Sequence, residues 1–142
     1  MPVKPKPDNY HSITPFLIVQ DAHALIDFLK TAFDATEIEV HEDPEGRVMH
    51  AEMQIGDSVI MMGDAMDRPV MHTGFYLYVP DTDAVYAKAI AAGGTTLLAP
   101  VDQFYGDRNA GVTDPFGNQW WIATHIEDVS SEELQKRMAQ RA

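Results

Sequence analysis

Apolar and polar positions follow one rhythm through residues 12–62 and repeat it through residues 73–124. The first pass opens with SITPFLIV, a run of strand character over residues 12–19. Asp21 then stands where a helix cap belongs, and Ala22, Leu25, Ile26, Leu29 and Phe33 recur at helical spacing behind it, so a helix to about Phe33 with one buried stripe is predicted. Three strands follow: a short one over 38–41, a second over 48–55 and a return strand over 58–62. Asp43-Pro44-Glu45-Gly46 and Gly56-Asp57 supply the turns between them.

Residues 63–71 are polar and turn-rich and read as a connection. The pattern then restarts with a strand over 73–79 and a helix from the cap Asp81 to about Ala92. Gly93-Gly94 closes that helix, because glycine accepts the left-handed conformation beyond a helix end. A strand over 95–98, a longer loop over 100–109, a strand over 110–113, a turn over 115–118 and a last strand over 119–124 complete the second pass. Ser130 and Glu133 fit a capping box for a tail helix, with Leu134 and Met138 as its apolar stripe and Arg137 and Arg141 near its negative end. The tail helix has two possible platforms, its own domain or a second subunit.

The two passes superimpose. Val19-Gln20-Asp21 matches Val79-Pro80-Asp81 sixty residues on, Ala24 matches Ala84, and Ala32 matches Ala92. A common offset with a common order of elements points to an internal duplication. The expected fold is α+β: two paired βαβββ modules forming a curved mixed sheet around a central cavity. The expected organisation is a flexible arm over 1–9, one domain over 10–126 and a C-terminal helix over 127–142. Within the domain, module one spans about 10–62 and module two about 72–124.

Composition narrows the chemistry. The 142 residues contain no cysteine, which removes disulfides, thiolate metal sites and cysteine nucleophiles. Acidic residues outnumber basic ones 22 to 10, for a formal charge of -12, so no nucleic-acid partner is expected, and no apolar stretch approaches the roughly 20 residues needed to cross a bilayer, so no membrane partner is expected either. The first residues have no apolar run of signal-peptide type, and a cytoplasmic location is the expectation.

Four stretches carry a resemblance to a known family: TPFLIVQDAHALIDFLKTAFDA, RVMHAEMQIGDSVIMMGD, FYLYVPDTDAVYAKAIAAGG and DQFYGDRNAGVTDPFGNQWWIATHIEDVSSEEL. Through them the chain resembles the vicinal oxygen chelate superfamily of glyoxalases and bleomycin resistance proteins, and more closely its PhnB-like branch. The resemblance implies a divalent metal whose ligands fall seven residues before each helix-opening aspartate and seven after the aspartate of the DPFG turn. Those places hold Thr14, Gly74 and Trp121 here, and only Glu52, with His50 beside it, keeps a ligand type. No metal at the usual site and no cofactor are therefore expected. Zinc is held by cysteine, histidine and carboxylate groups.

The resemblance also fixes which strand face should be open. Phe16, His50, Glu52, Gln54, Tyr76, Tyr78 and Trp121 share it by alternation, together with Ile60, Met62 and His72, while Leu17, Val19, Met53, Trp120 and Ile122 face the helices. Phe16, Tyr76, Tyr78 and Trp121 can stack a planar ligand, with His72, Gln54 and Arg108 as polar contacts. Filling of a closed interior by the same rings is the competing reading. His50 and Glu52 are the candidate catalytic pair, and a structural hydrogen bond between them is the alternative. Arg108 either meets an anionic group or pins its loop to Asp107, Asp114 or Glu127. His11, His23, His41 and His125 look peripheral. The sequence thus points to a homodimeric protein that binds a small, partly aromatic or apolar molecule. A glyoxalase-type lyase or isomerase using His50 and Glu52 with a noncanonical metal is the alternative, and a filled-in structural partner is the third reading.

Overall fold

The computed structural model describes residues 3–141. The chain divides into two compact units, with the boundary between Thr73 and Gly74. Unit one holds β1 (Phe16–Val19), α1 (Ala22–Phe33), β2 (Thr36–Glu42), β3 (Val48–Ile55) and β4 (Ser58–Asp64). Its four-stranded sheet has the order β1-β4-β3-β2, with β1 parallel to β4 and the other pairs antiparallel.

Local chemistry explains these limits. The strand expected from residue 12 begins only at Phe16, because Pro15 has no N–H to give to a ladder, although its carbonyl accepts from Met61 N at 2.9 Å. Asp21 caps α1 by accepting from Ala24 N at 3.1 Å. Asp34 ends the helix in the left-handed region at φ 54°. Seven α1 residues are buried, among them Leu25, Ile26 and Leu29, and the sheet contributes Leu17, Val19, Met53 and Met62 to the core. At the end of β4, Asp64 accepts from Ala22 N at 2.8 Å and Val48 N at 2.7 Å. One carboxylate thus satisfies an orphan donor of the helix, favours its positive end and fixes the start of β3.

One sequence expectation changes here. Met61 pairs with both Phe16 and Glu52, so Met61 lies on the open face, whereas Ile60 and Met62 are buried on the helix-covered face. A shift of one residue transfers a strand's whole side-chain set to the other face, and an apolar run such as VIMM carries no polar marker of phase.

Unit two repeats the plan with β5 (Gly74–Tyr78), α2 (Thr82–Ala91), β6 (Thr95–Asp102), β7 (Asp107–Thr113) and β8 (Gln119–His125) in the order β5-β8-β7-β6. The long loop expected over 100–109 is mostly strand. β6 runs to Asp102 with a register break between Leu98 and Val101, where Pro100 is tolerated on an edge strand. The turn is only residues 103–106, closed by Gln103 N donating to Asp107 O at 2.7 Å. Gly106 has φ 99°, and a Cβ there would collide with the Glu127 carbonyl, so this turn requires glycine.

The DPFG turn is built around Asp114, whose buried carboxylate accepts from Phe116 N at 2.8 Å, Asn118 N at 3.0 Å and Trp120 Nε1 at 2.9 Å. α3 (Ser131–Arg141) starts at Ser130, whose Oγ accepts from Glu133 N at 3.1 Å. The tail helix docks on its own unit. Arg137 makes two 2.9 Å bonds to Glu127 and a third to the Phe104 carbonyl, and Arg141 lies 4.5 Å over the Phe104 ring.

Candidate functional site

Each sheet carries its helix on one face and presents functional side chains on the other. In unit one these are centred on Glu52, which is only 6% exposed. β3 places His50 and Glu52 two apart on this face, and His50 Nε2 donates to Glu52 Oε2 at 2.8 Å. The other oxygen, Oε1, accepts from the Tyr10 hydroxyl, delivered by the segment ahead of β1. Burial pushes the Glu52 carboxyl up, but the hydrogen bonds it accepts from Tyr10 and His50 prevail and hold it below the usual carboxylate range. The bond to Glu52 in turn raises the Tyr10 phenol.

Glu39 of β2 completes a group in which one ligand atom each from Glu39, His50 and Glu52 lie within 4.8 Å of one another. Beside it, Lys6, Tyr10, His11, Thr14, Glu52 and Met61 help to line a hollow of about 450 Å³. The Phe16 ring is 42% exposed and sits 6.1 Å from the His50 ring.

Unit two centres on Asp107, 4% exposed at the start of β7. Its Oδ2 accepts from the hydroxyls of Tyr76 at 2.6 Å and Tyr78 at 3.0 Å, and its Oδ1 accepts from His125 Nδ1 at 2.9 Å. Asn109 Nδ2 donates onward to the Tyr76 oxygen at 3.2 Å and to the Tyr105 oxygen at 2.7 Å. Burial raises the Asp107 carboxyl, yet the bonds from Tyr76, His125 and Tyr78 overcome it and keep the group below its ordinary value. Tyr76 is raised by burial and then by Asp107, and Tyr78 chiefly by its bond to Asp107, so both remain neutral phenols at ordinary pH. His125 Nε2 faces Asp128 at 2.7 Å. Its bonds to Asp107 and Asp128 raise its pKa.

The expected site residues are thus sorted by the fold. His50, Glu52 and Phe16 come together on sheet one, and Tyr76, Tyr78 and Trp121 on sheet two. Gln54 is tied to its own turn, donating to the Gly56 carbonyl at 3.1 Å. His72 is exposed after the Ile18–Met71 bridge, outside every strand and outside the Glu39–His50–Glu52 group. Arg108 alternates with Asp107 and Asn109 and so points the other way, to Asp83 at 3.1 Å and Asp102 at 3.0 Å. These partners take the place of the expected pairings with Asp107, Asp114 or Glu127. His125 is no bystander, since it bonds the central carboxylate. Tyr10, Glu39 and Asn109 escaped the sequence reading. Asn109 is two residues beyond Asp107, a strand spacing hidden when the segment is taken for a loop.

The family's metal positions can now be compared between units. Tyr76 pairs with Trp121 as Phe16 pairs with Met61, so the counterpart of Trp121 in unit one is Met61. Thr14, Gly74 and Trp121 bring neither carboxylate nor imidazole to the places the resemblance assigns to a metal, nor does Met61 as the counterpart of Trp121, so Glu52 is the one ligand type of the expected set and the set does not fit the family's ion.

The chain belongs to the Glyoxalase/Bleomycin resistance protein/Dioxygenase superfamily, which it matches over residues 10–122. It is 34% identical to protein Mb0911c of Mycobacterium bovis in an alignment covering 90% of this chain and 92% of that one. Its fold is similar to that of TioX from Micromonospora sp. ML1, with a TM-score of 0.71 at 20% identity over 82% of this chain and 99% of that chain. A PhnB protein from Bacillus cereus has a TM-score of 0.64 at 20% identity, covering 80% of this chain and 99% of that one.

Proposed function

We propose that this protein binds a small, partly aromatic or apolar molecule without the family's metal ion. The observation that carries this reading is the pair of open sheet faces, where Phe16 is 42%, Tyr76 44% and Tyr78 60% exposed beside buried, fully bonded carboxylates. Large rings held at the surface over fixed polar groups form a stacking platform with a polar edge. Trp121, where the resemblance expects a metal ligand, and its rung counterpart Met61 add apolar area to the two open faces. The same reading places the chain in the PhnB-like branch, in the cytoplasm, as a homodimer, and the similarity to a PhnB protein supports the branch.

The test is a protein-observed NMR screen of aromatic fragments with and without chelator. Fragments should shift the amides of Phe16, Tyr76, Tyr78 or Trp121 equally in both conditions. Binding that appears only with a divalent ion, or no fragment binding at these residues, sinks the reading. Sedimentation would decide the dimer.

One observation favours a second reading as a lyase or isomerase of glyoxalase type: the 2.8 Å His50–Glu52 contact beside a hollow of about 450 Å³. Glu39, His50 and Glu52 would hold a noncanonical divalent ion, which would supply electrophilic polarisation of a substrate oxygen. Turnover of a hemithioacetal that is lost in Glu52→Gln would establish it.

A further inference from the structure

The direction of the hydrogen bonds around Asp107 specifies a ligand charge. Both phenolic protons point inward, from Tyr76 at 2.6 Å and Tyr78 at 3.0 Å, to the same carboxylate oxygen. Asp107 is kept ionised by these bonds and by His125. A hydroxyl that donates to a carboxylate becomes a better acceptor, because the chain of bonds polarises it. What Tyr78 offers outward is therefore oxygen lone pairs and a ring, with no spare proton. The Tyr76 and Tyr78 rings meet edge to face at 5.3 Å, and both are substantially exposed.

Three cationic side chains of this unit are already held by protein acceptors, and one of them, His125, sits between two carboxylates at the Asp107 centre itself. His125 bridges Asp107 and Asp128, Arg108 is turned to Asp83 and Asp102, and Arg137 is held by Glu127, Glu133 and the Phe104 carbonyl. The chain as a whole carries -12. An anionic ligand meets acceptors and a negative field, whereas an organic cation meets ring faces, phenolic oxygens and a buried carboxylate beneath them.

We infer that the open face of sheet two takes an organic cation, a quaternary or protonated amine carried on an aromatic or apolar body, seated on Tyr76, Tyr78 and Trp121 above Asp107. This deepens the small-molecule reading and rests on it. It names the charge of the ligand, which exposed rings alone leave open.

The test uses three matched probes: (4-hydroxyphenyl)trimethylammonium, its neutral isostere 4-tert-butylphenol, and 4-hydroxybenzenesulfonate. Each is titrated into the full chain while the amides of residues 76, 78, 107 and 121 are followed by NMR. The ammonium probe should bind about tenfold more tightly than the isostere, and the sulfonate should leave these resonances unmoved. Asp107→Asn should remove most of that preference. Because it also alters a buried network, Tyr78→Leu at a well-exposed position gives a second check and should weaken the ammonium probe severalfold in a folded protein. Equal affinity of the ammonium and its isostere overturns the cation assignment while leaving the small-molecule reading standing. Preferential binding of the sulfonate overturns it too. No response from any probe at these residues overturns both the assignment and the place of sheet two in the wider reading.

Discussion

The two units share one topology and solve the same local problems with different chemistry. Both helices open behind an aspartate cap, at Asp21 and Asp81, and both first turns are tied to the end of the fourth strand. In unit one the tie is the buried carboxylate of Asp64, and in unit two it is the hydroxyl of Thr124, sixty residues on, which accepts from Thr82 N at 3.0 Å. α1 buries seven side chains, whereas α2 buries only Thr82 and Ala89. Unit two compensates with polar anchoring, through the Asp114 turn, the Asp107 centre and the Arg137 clamp of α3. It also stacks Phe75 on Trp120 at 4.3 Å.

The open faces differ as instructively. Glu52 and Gly111 occupy matching rungs, since Glu52 pairs with Met61 and Gly111 with Trp121. Where unit one has a carboxylate, unit two has no side chain, and the Trp121 indole lies over the vacated rung. The carboxylate of unit two appears instead at Asp107, four residues earlier on β7. Duplication thus preserved backbone and core while the polar centre moved along the strand.

The largest effect should come from the turn that unit one lacks. β3 and β4 are joined through Gly56-Asp57, but β7 and β8 depend on the buried carboxylate of Asp114. Asp114→Ala removes the shared acceptor of Phe116 N, Asn118 N and Trp120 Nε1 and should cost about 3 kcal/mol in denaturant unfolding. Loss of near-ultraviolet dichroism from Trp120 would accompany it. An effect below about 1 kcal/mol would show that unit two does not rely on this anchor.

The helix ties come next. Asp64→Ala exposes two buried N–H groups and should cost about 2–3 kcal/mol, against about 1 kcal/mol for Thr124→Val. Equal losses would erase the distinction between a charged and a neutral tie. Gly111→Ala probes the vacated rung, because its Cβ would meet the Trp121 ring at 2.6 Å. The indole must shift, at a cost of about 1–2 kcal/mol and with a change in Trp121 fluorescence. Unchanged emission and stability would mean that the ring does not need this rung.

The smallest effect is a pH dependence at the Asp107–His125 centre of unit two. Asp107 titrates below its ordinary 3.8 in the folded chain, so its contribution is present above that value and fades as pH falls through the folded pKa. His125 is raised above 6.5, so its contribution is complete below 6.5 and is lost as pH rises through its folded pKa. The Asp107–His125–Asp128 bridge is therefore intact between those limits. Thermal melts should show a shallow decline on the alkaline side that His125→Ala removes, and an unaltered decline in that variant would refute the assignment.

Much of this was legible in the chain itself. Helical spacing behind Asp21 and Asp81, the sixty-residue offset and the turn residues define the elements, because periodicity and capping are local properties. The residue types at Thr14, Gly74 and Trp121, where the resemblance expects metal ligands, are likewise read directly from the chain. Tertiary structure decided the rest. Strand phase in VIMM, the partners of Arg108 and the convergence of Tyr10 on Glu52 depend on residues distant in sequence. So does the meeting of Tyr76, Tyr78 and His125 at Asp107, which needs three strands in register. A hydrogen bond is directional and reaches only about 3 Å, so which distant groups meet is fixed by register and packing.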